Sequence, residues 1–299
     1  MRKFKLKDRA AKRIREIEKN GGVAEKPSVL KTDLPKETAE PPVSSIRLIS
    51  RTDIGLMRRS NQDALIVGPV FGVADGMGGH NGGETASAGA RDGILRDTKD
   101  LTPSPAALEE AVKKVNMELW EMQLHSEALS GMGTTLTVLW PAGSRMLIGH
   151  VGDSRAYLWR RGDFRQVTED HSMVADMVRR GLLTEEQADA HPMRNYITRA
   201  VGTEPTIQVD VLSFSREKGD RWLICSDGLH GLVGRERLQE LMAAEDLDES
   251  ADQMIRESLD RGGRDNISLI IAVDSGAPEQ EDGAEHSVSE EAKAEEETL

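Results

Sequence analysis

The sequence predicts an α+β protein, with antiparallel β-sheets and helices layered outside them. Three observations carry this expectation. Apolar runs rich in Val, Ile, Leu and Thr recur through the middle of the chain. Several follow one another with no helical pattern between them, which favours antiparallel pairing. Two stretches carry helical spacing instead.

The elements follow in order. Residues 1–44 open with MRKFKLKDRAAKRIREIEKN, a basic segment in which Leu6, Ala10, Ile14 and Ile17 suggest a short amphipathic helix. PSVLKTDLPKETAEPP then reads as a linker. IRLISRTDIG and DALIVGPVFGVAD read as strands, and ETASAGARDGILRD as a helix. SPAALEEAVKKVNMELWEMQLH is the second helix: Ser104 can cap it and Pro105 suits its first position. Leu108, Val112, Val115, Leu119 and Met122 share one face of it. TTLTVLW and RMLIGHVGDSRAYLWR are strand signals, and TEEQ at 184–187 matches a capping box. IQVDVLSF, RWLICSDG and NISLIIAVD complete the strands. From about Ser275 the chain is acidic and nearly devoid of apolar residues, so a disordered tail is expected. The domains expected are an extension over 1–44, a globular unit over 45–274 and a tail over 275–299.

Composition narrows the function. The 299 residues carry a net charge of −13, which argues against nucleic acid as main partner. A single cysteine, Cys225, rules out an intramolecular disulfide, and its apolar surroundings read as core. No stretch approaches the ~20 apolar residues that span a bilayer. The basic start is not followed by an apolar segment, so it is not read as a secretory signal, and a cytoplasmic protein is expected.

The chemistry lies in the acids. In FGVADGMGGHNGG an apolar run ends at Asp75 and glycines follow. The glycines complete neither a Walker loop nor a dinucleotide fingerprint. Asp227 ends the apolar run of LICSDGL, Asp153 follows Gly152 in IGHVGDSRAYL, and Asp265 precedes the strand of RDNISLIIAV. Any one of these reads equally well as a turn residue. Together they suggest an oxygen-rich site in which a hard divalent cation relieves repulsion between carboxylates.

Eight stretches carry a resemblance: RTDIGLMRRSNQDALIV, FGVADGMGGHNGGETAS, GMGTTLTVLW, IGHVGDSRAYL, TEDHS, HPMRNYITRAVGT, WLICSDGL and RDNISLIIA. In this order, over residues 46–274, they resemble the metal-dependent serine/threonine phosphatases of type 2C in their bacterial form. The resemblance implies two stacked antiparallel sheets flanked by helices. It implies two or three Mn²⁺ or Mg²⁺ ions and hydrolysis of phosphoserine and phosphothreonine on proteins by metal-bound hydroxide. Asp75 would bridge two ions, with the Gly76 carbonyl on one of them. Asp227 and Asp265 would hold the other, and Asp153 with Asp227 a third. Arg58 matches the arginine that grips the phosphate, Arg59 being the alternative one place on, and Asp63 would act on metal-bound water. The partners implied are phosphorylated proteins, substrates of a serine/threonine kinase, met by a monomer.

Two positions depart from the family pattern. Met77 stands where animal members have a histidine acid; His80 is the substitute, unless it is a loop residue or a metal-bound water serves. Gln62 stands where a glutamate is frequent, which would weaken one metal site. Residues 170–197 correspond to a helical flap suited to substrate selection. His150, His171, His191 and His230 read as structural or surface residues. Other readings are a regulatory phosphatase of anti-sigma-factor antagonists and a non-catalytic scaffold. The first usually lacks the arginine and the flap, and the second usually loses an aspartate.

Overall fold

The computed structural model describes residues 46–276. The amphipathic segment, linker and acidic tail expected from the sequence lie outside the described residues.

The strands are β1 (Ile46–Asp53), β2 (Asp63–Ile66), β3 (Phe71–Met77), β4 (Gly133–Thr134), β5 (Leu136–Ala142), β6 (Arg145–Val151), β7 (Arg155–Arg160), β8 (Asp163–Gln166), β9 (Asp210–Ser215), β10 (Arg221–Cys225) and β11 (Ile267–Asp274). One sheet runs β1-β11-β10-β7-β8; the other runs β2-β3-β5-β6-β9, with β4 beside β3. Every pairing is antiparallel. DALIVGPVFGVAD, expected as one strand, is a hairpin: the chain breaks at Gly68 and Pro69, and β2 folds back on β3.

Both faces of each sheet are covered, which is why the strands read as near-continuous apolar runs. Alternate residues sort to opposite sides. Trp222, Ile224, Ile270 and Ala272 meet Phe71, Val73, Leu139, Met146 and Ile148 between the two sheets. Leu223, Cys225, Leu269 and Ile271 point the other way, under helices α6 (Arg235–Ala243) and α7 (Leu247–Asp260). Leu136, Val138, Trp140 and Leu147 likewise lie under α1 (Gly79–Thr98) and α2 (Pro105–Leu124). The order of layers is helix, sheet, sheet, helix. Cys225 is fully buried, and burial pushes its thiol up to about 12, so it is packing material and not a nucleophile.

The helix signals hold in detail. Ser104 accepts from the Ala107 amide with Pro105 at the first position. Leu108, Val112, Val115 and Leu119 are buried, but Met122 is 39% exposed. It lies in the last turn of the helix. The flap contains α3 (Met173–Arg179) and α4 (Glu185–Asp189), the latter with a complete capping box between Thr184 and Gln187. A four-residue helix, α5 (Asp227–His230), follows β10 directly.

Candidate active site

The strand register brings the acids to one end of the sandwich. Asp53 at the end of β1 faces Ile267 at the start of β11, and Cys225 at the end of β10 faces Arg155 at the start of β7. In the other sheet Asp63 at the start of β2 faces Asp75 near the end of β3. The turn from β6 to β7, with Gly152 at φ 109°, crosses between the sheets and carries Asp153. Asp75, Asp153, Asp227 and Asp265 therefore reach one cavity of about 500 Å³, shared with Arg58, Arg59, Gln62, Gly76, Met77 and, from the flap, Asn195 and Ile197.

The glycines after Asp75 solve a packing problem. α1 begins at Gly79, five residues before the helix expected from the sequence. Its first turn runs directly against the end of β3: a Cβ on Gly76 would sit 2.0 Å from the Gly83 carbonyl oxygen and 2.6 Å from that of Gln62. Only glycine permits that approach. The Gly78 backbone, at φ 111°, turns the chain into the helix. His80 thus belongs to a helix rather than a loop, in its first turn, and its side chain lies outside the described residues.

Electrostatics show what the cavity lacks. Burial first, then the fields of Asp63, Asp227, Asp153 and Asp265, push the Asp75 carboxyl well above the usual range. Burial and the same neighbours raise Asp227, burial and Asp170 raise Asp153, and burial raises Asp63 against opposing hydrogen bonds. Ser226 Oγ donates to Asp63 Oδ2 at 2.8 Å, but Oδ1 of Asp63 and Oδ1 of Asp227 are buried without a partner. Buried orphan carboxylate oxygens are costly and call for a cation.

Among the described residues no three such side chains close into a compact cage. Asp75, Asp153, Asp227 and Asp265 instead line the cavity from different elements. The Arg58 guanidinium lies 2.5 Å from Asp265 Oδ2 and supplies part of the missing positive charge. That contact, with the fields of Asp75 and Asp227, raises its pKa against the opposing effect of desolvation. The donor set, hard oxygens with Gly76 beside them, fits Mg²⁺ or Mn²⁺.

Three of the histidines brace this end of the fold. His150 touches Thr137 Oγ1 through Nδ1 and the Glu169 carbonyl through Nε2. His171 Nδ1 accepts from the Gly152 amide, and His230 Nε2 donates to the Asp153 carbonyl. Burial, aided by the nearby His171, lowers His150 to about 4. The folded state therefore resists a proton that the unfolded chain accepts near 6.5. This contribution is complete above pH 6.5 and is lost as pH falls toward 4. The destabilisation caused by His150→Gln is expected to shrink by roughly 2 kcal/mol between pH 7.5 and pH 5, measured by denaturant unfolding of both proteins. Parallel pH profiles would refute the assignment.

Sequence reasoning did not single out Asn266 or Ser226. Ser226 ties Asp63 to the Ser268 amide, and the Asn266 carboxamide ties down the loop from 54 to 62. Each directly adjoins an aspartate that sequence reasoning did identify, and that adjacency was the available signal.

Fold and cavity together define a class: helix-covered double sheets whose shared end gathers carboxylates and arginines in one cavity. The chain belongs to the protein phosphatase 2C family, whose model matches residues 58–268. It is 37% identical over 237 residues to the serine/threonine phosphatase stp of Listeria monocytogenes, covering 74% of this chain and 93% of that protein. It is 37% identical over 233 residues to the serine/threonine protein phosphatase PstP of Mycobacterium tuberculosis, covering 76% of this chain. The match spans 45% of the length of PstP. A crystal structure of the PstP catalytic domain in complex with two manganese ions matches with a TM-score of 0.71 at 35% identity, covering 76% of this chain and 97% of that one.

Proposed function

We propose that the chain hydrolyses phosphoserine and phosphothreonine on proteins, with two or three Mn²⁺ or Mg²⁺ ions held at the sandwich end. The observation that carries this reading is the cavity lined by four mutually repelling carboxylates, Asp227 among them with an orphaned oxygen, together with Arg58 and Arg59. Bound divalent cations would supply Lewis-acid charge and an acidified water.

The residues then divide the work. Asp75 would bridge two ions beside the Gly76 carbonyl. Asp227 and Asp265 would complete one site, and Asp153 with Asp227 a third. Arg58 would leave Asp265 to the cation and grip two phosphoryl oxygens, for which a guanidinium is shaped. Asp63, anchored by Ser226 through Oδ2, keeps Oδ1 for a proton from the attacking water. His80, from the first turn of α1, would give the leaving alkoxide its proton. Gln62 keeps its place at the cavity wall without a charge.

The substrates on this reading are targets of a serine/threonine kinase, and the enzyme acts as a cytoplasmic monomer. No helix among the described residues is long and apolar enough to cross a membrane. The presence of every expected aspartate, the arginine and the flap favours an enzyme over a scaffold or the anti-sigma branch. Turnover of a phosphothreonine peptide with Mn²⁺, abolished by a chelator, is the direct test. No turnover at saturating Mn²⁺ would remove the proposal.

The basic extension is proposed to lie outside the catalytic unit. Deleting residues 1–42 is expected to leave small-phosphopeptide turnover within about twofold, since exposed charges far from a site act weakly. A collapse of that turnover would place the segment inside the catalytic unit.

A further inference from the structure

We infer that Asn266 is a positioning residue for Arg58, because its carboxamide fixes both ends of the loop that presents the arginine. This rests on the phosphatase reading above. Asn266 is 3% exposed, in the turn before β11. Its Nδ2 donates to the carbonyls of Ile54 and Ser60, each at 3.0 Å. Its Oδ1 accepts from the Gln62 amide at 2.8 Å. One side chain therefore bridges backbone atoms on both sides of Arg58.

The chemistry of the position is restrictive. Two donors and one acceptor are used at once, a set that a carboxamide offers in a single plane. Aspartate keeps the acceptor and replaces the NH2 group, with both of its donors, by one oxygen that faces two carbonyls. The loop has other anchors: the Leu56 amide on the Gly263 carbonyl at 2.7 Å before Arg58, and Asn61 Nδ2 on Thr52 Oγ1 at 2.7 Å and the Gly76 amide on the Gln62 carbonyl at 3.1 Å after it. Each of these holds one side of Arg58, whereas Asn266 holds both. The Arg58 side chain is 47% exposed, and its guanidinium contact is with Asp265. Once Asp265 serves a cation, the direction of the arginine depends on its backbone, and Asn266 sets that backbone. A displacement of about 1 Å in a positioning group is enough to cost a large factor in rate.

Asn266 also adjoins Asp265, whose Oδ1 accepts from its amide at 2.8 Å. The test must separate the two routes. Asn266→Ala, Asn266→Asp, Arg58→Ala and the Asn266→Ala/Arg58→Ala double variant are compared on a phosphothreonine peptide. Binding of inorganic phosphate is measured by calorimetry and binding of Mn²⁺ by the resonance of the free ion. Asn266→Ala is expected to raise KM and the phosphate Kd about tenfold, with a smaller change in kcat and Mn²⁺ affinity unchanged within twofold. In the Arg58→Ala background the same substitution is expected to add almost nothing.

An equal loss in both backgrounds, or a fall in Mn²⁺ affinity, would overturn the inference and assign the residue to Asp265. Unchanged kinetics and phosphate binding would overturn it as well. If the alanine variant does not fold, Asn266→Asp and Asn266→Ser are judged by the same phosphate and Mn²⁺ criteria. A wild-type protein that turns over no phosphopeptide removes the phosphatase reading alone. Non-additive loss of phosphate binding in the Asn266 and Arg58 variants would still support the positioning role.

Discussion

Asp75→Asn is expected to lose hydrolysis by about 10³-fold or more while the protein stays folded and, without metal, melts at a higher temperature than wild type. On the proposed assignment the loss follows from removing a carboxylate that would hold the cations, on which charge stabilisation and an activated water would depend. The gain follows from the register. Asp75 faces Asp63 across the β2–β3 pair and lies half-buried near three further acids, so it adds repulsion to a protein without cations. Asparagine fills the same volume without the charge. Mn²⁺ should raise the melting temperature of wild type strongly and of the variant weakly, because a ligand that binds only the folded state stabilises it by mass action. Paired melting curves with and without Mn²⁺, and single-substrate kinetics, check both halves. Wild-type turnover by the variant at saturating Mn²⁺ would sink the site assignment.

Arg58→Ala should raise KM for a phosphothreonine peptide and lower kcat, for a combined loss in kcat/KM of about 10²-fold. The arginine would hold the phosphoryl group in the ground state and as charge spreads over its oxygens, so both parameters carry its contribution. Arg59 lines the same cavity one residue on and is the control. If Arg59→Ala produces the loss and Arg58→Ala does not, the phosphate-gripping residue is Arg59.

Much of this was legible in the sequence, for identifiable reasons. Ser104 and Thr184 cap their helices as local chemistry dictates, because capping depends on residues three apart. The four aspartates could be picked out because each ends or begins an apolar strand. Their convergence could not, since it depends on which strands pair and on the crossing turn at Gly152. The start of α1 was hidden for a related reason. Glycines signal a turn locally, yet Gly76 and Gly83 are there so that two backbones can touch. Met122 keeps the helical period but is left exposed in the last turn, and periodicity carries no information about where a covering neighbour ends.

The position of β11 bears on how the enzyme is born. β11, the last strand among the described residues, lies inside its sheet between β1 and β10, and the turn before it delivers Asp265. Until the ribosome has released that strand, β1 and β10 have no common partner and the cation pocket lacks a wall. A chain that stops before β11 therefore carries the arginine loop and three of the acids without Asp265, and is expected to show no phosphatase activity. On the phosphatase reading, products truncated before β11 are expected to be silent rather than unregulated.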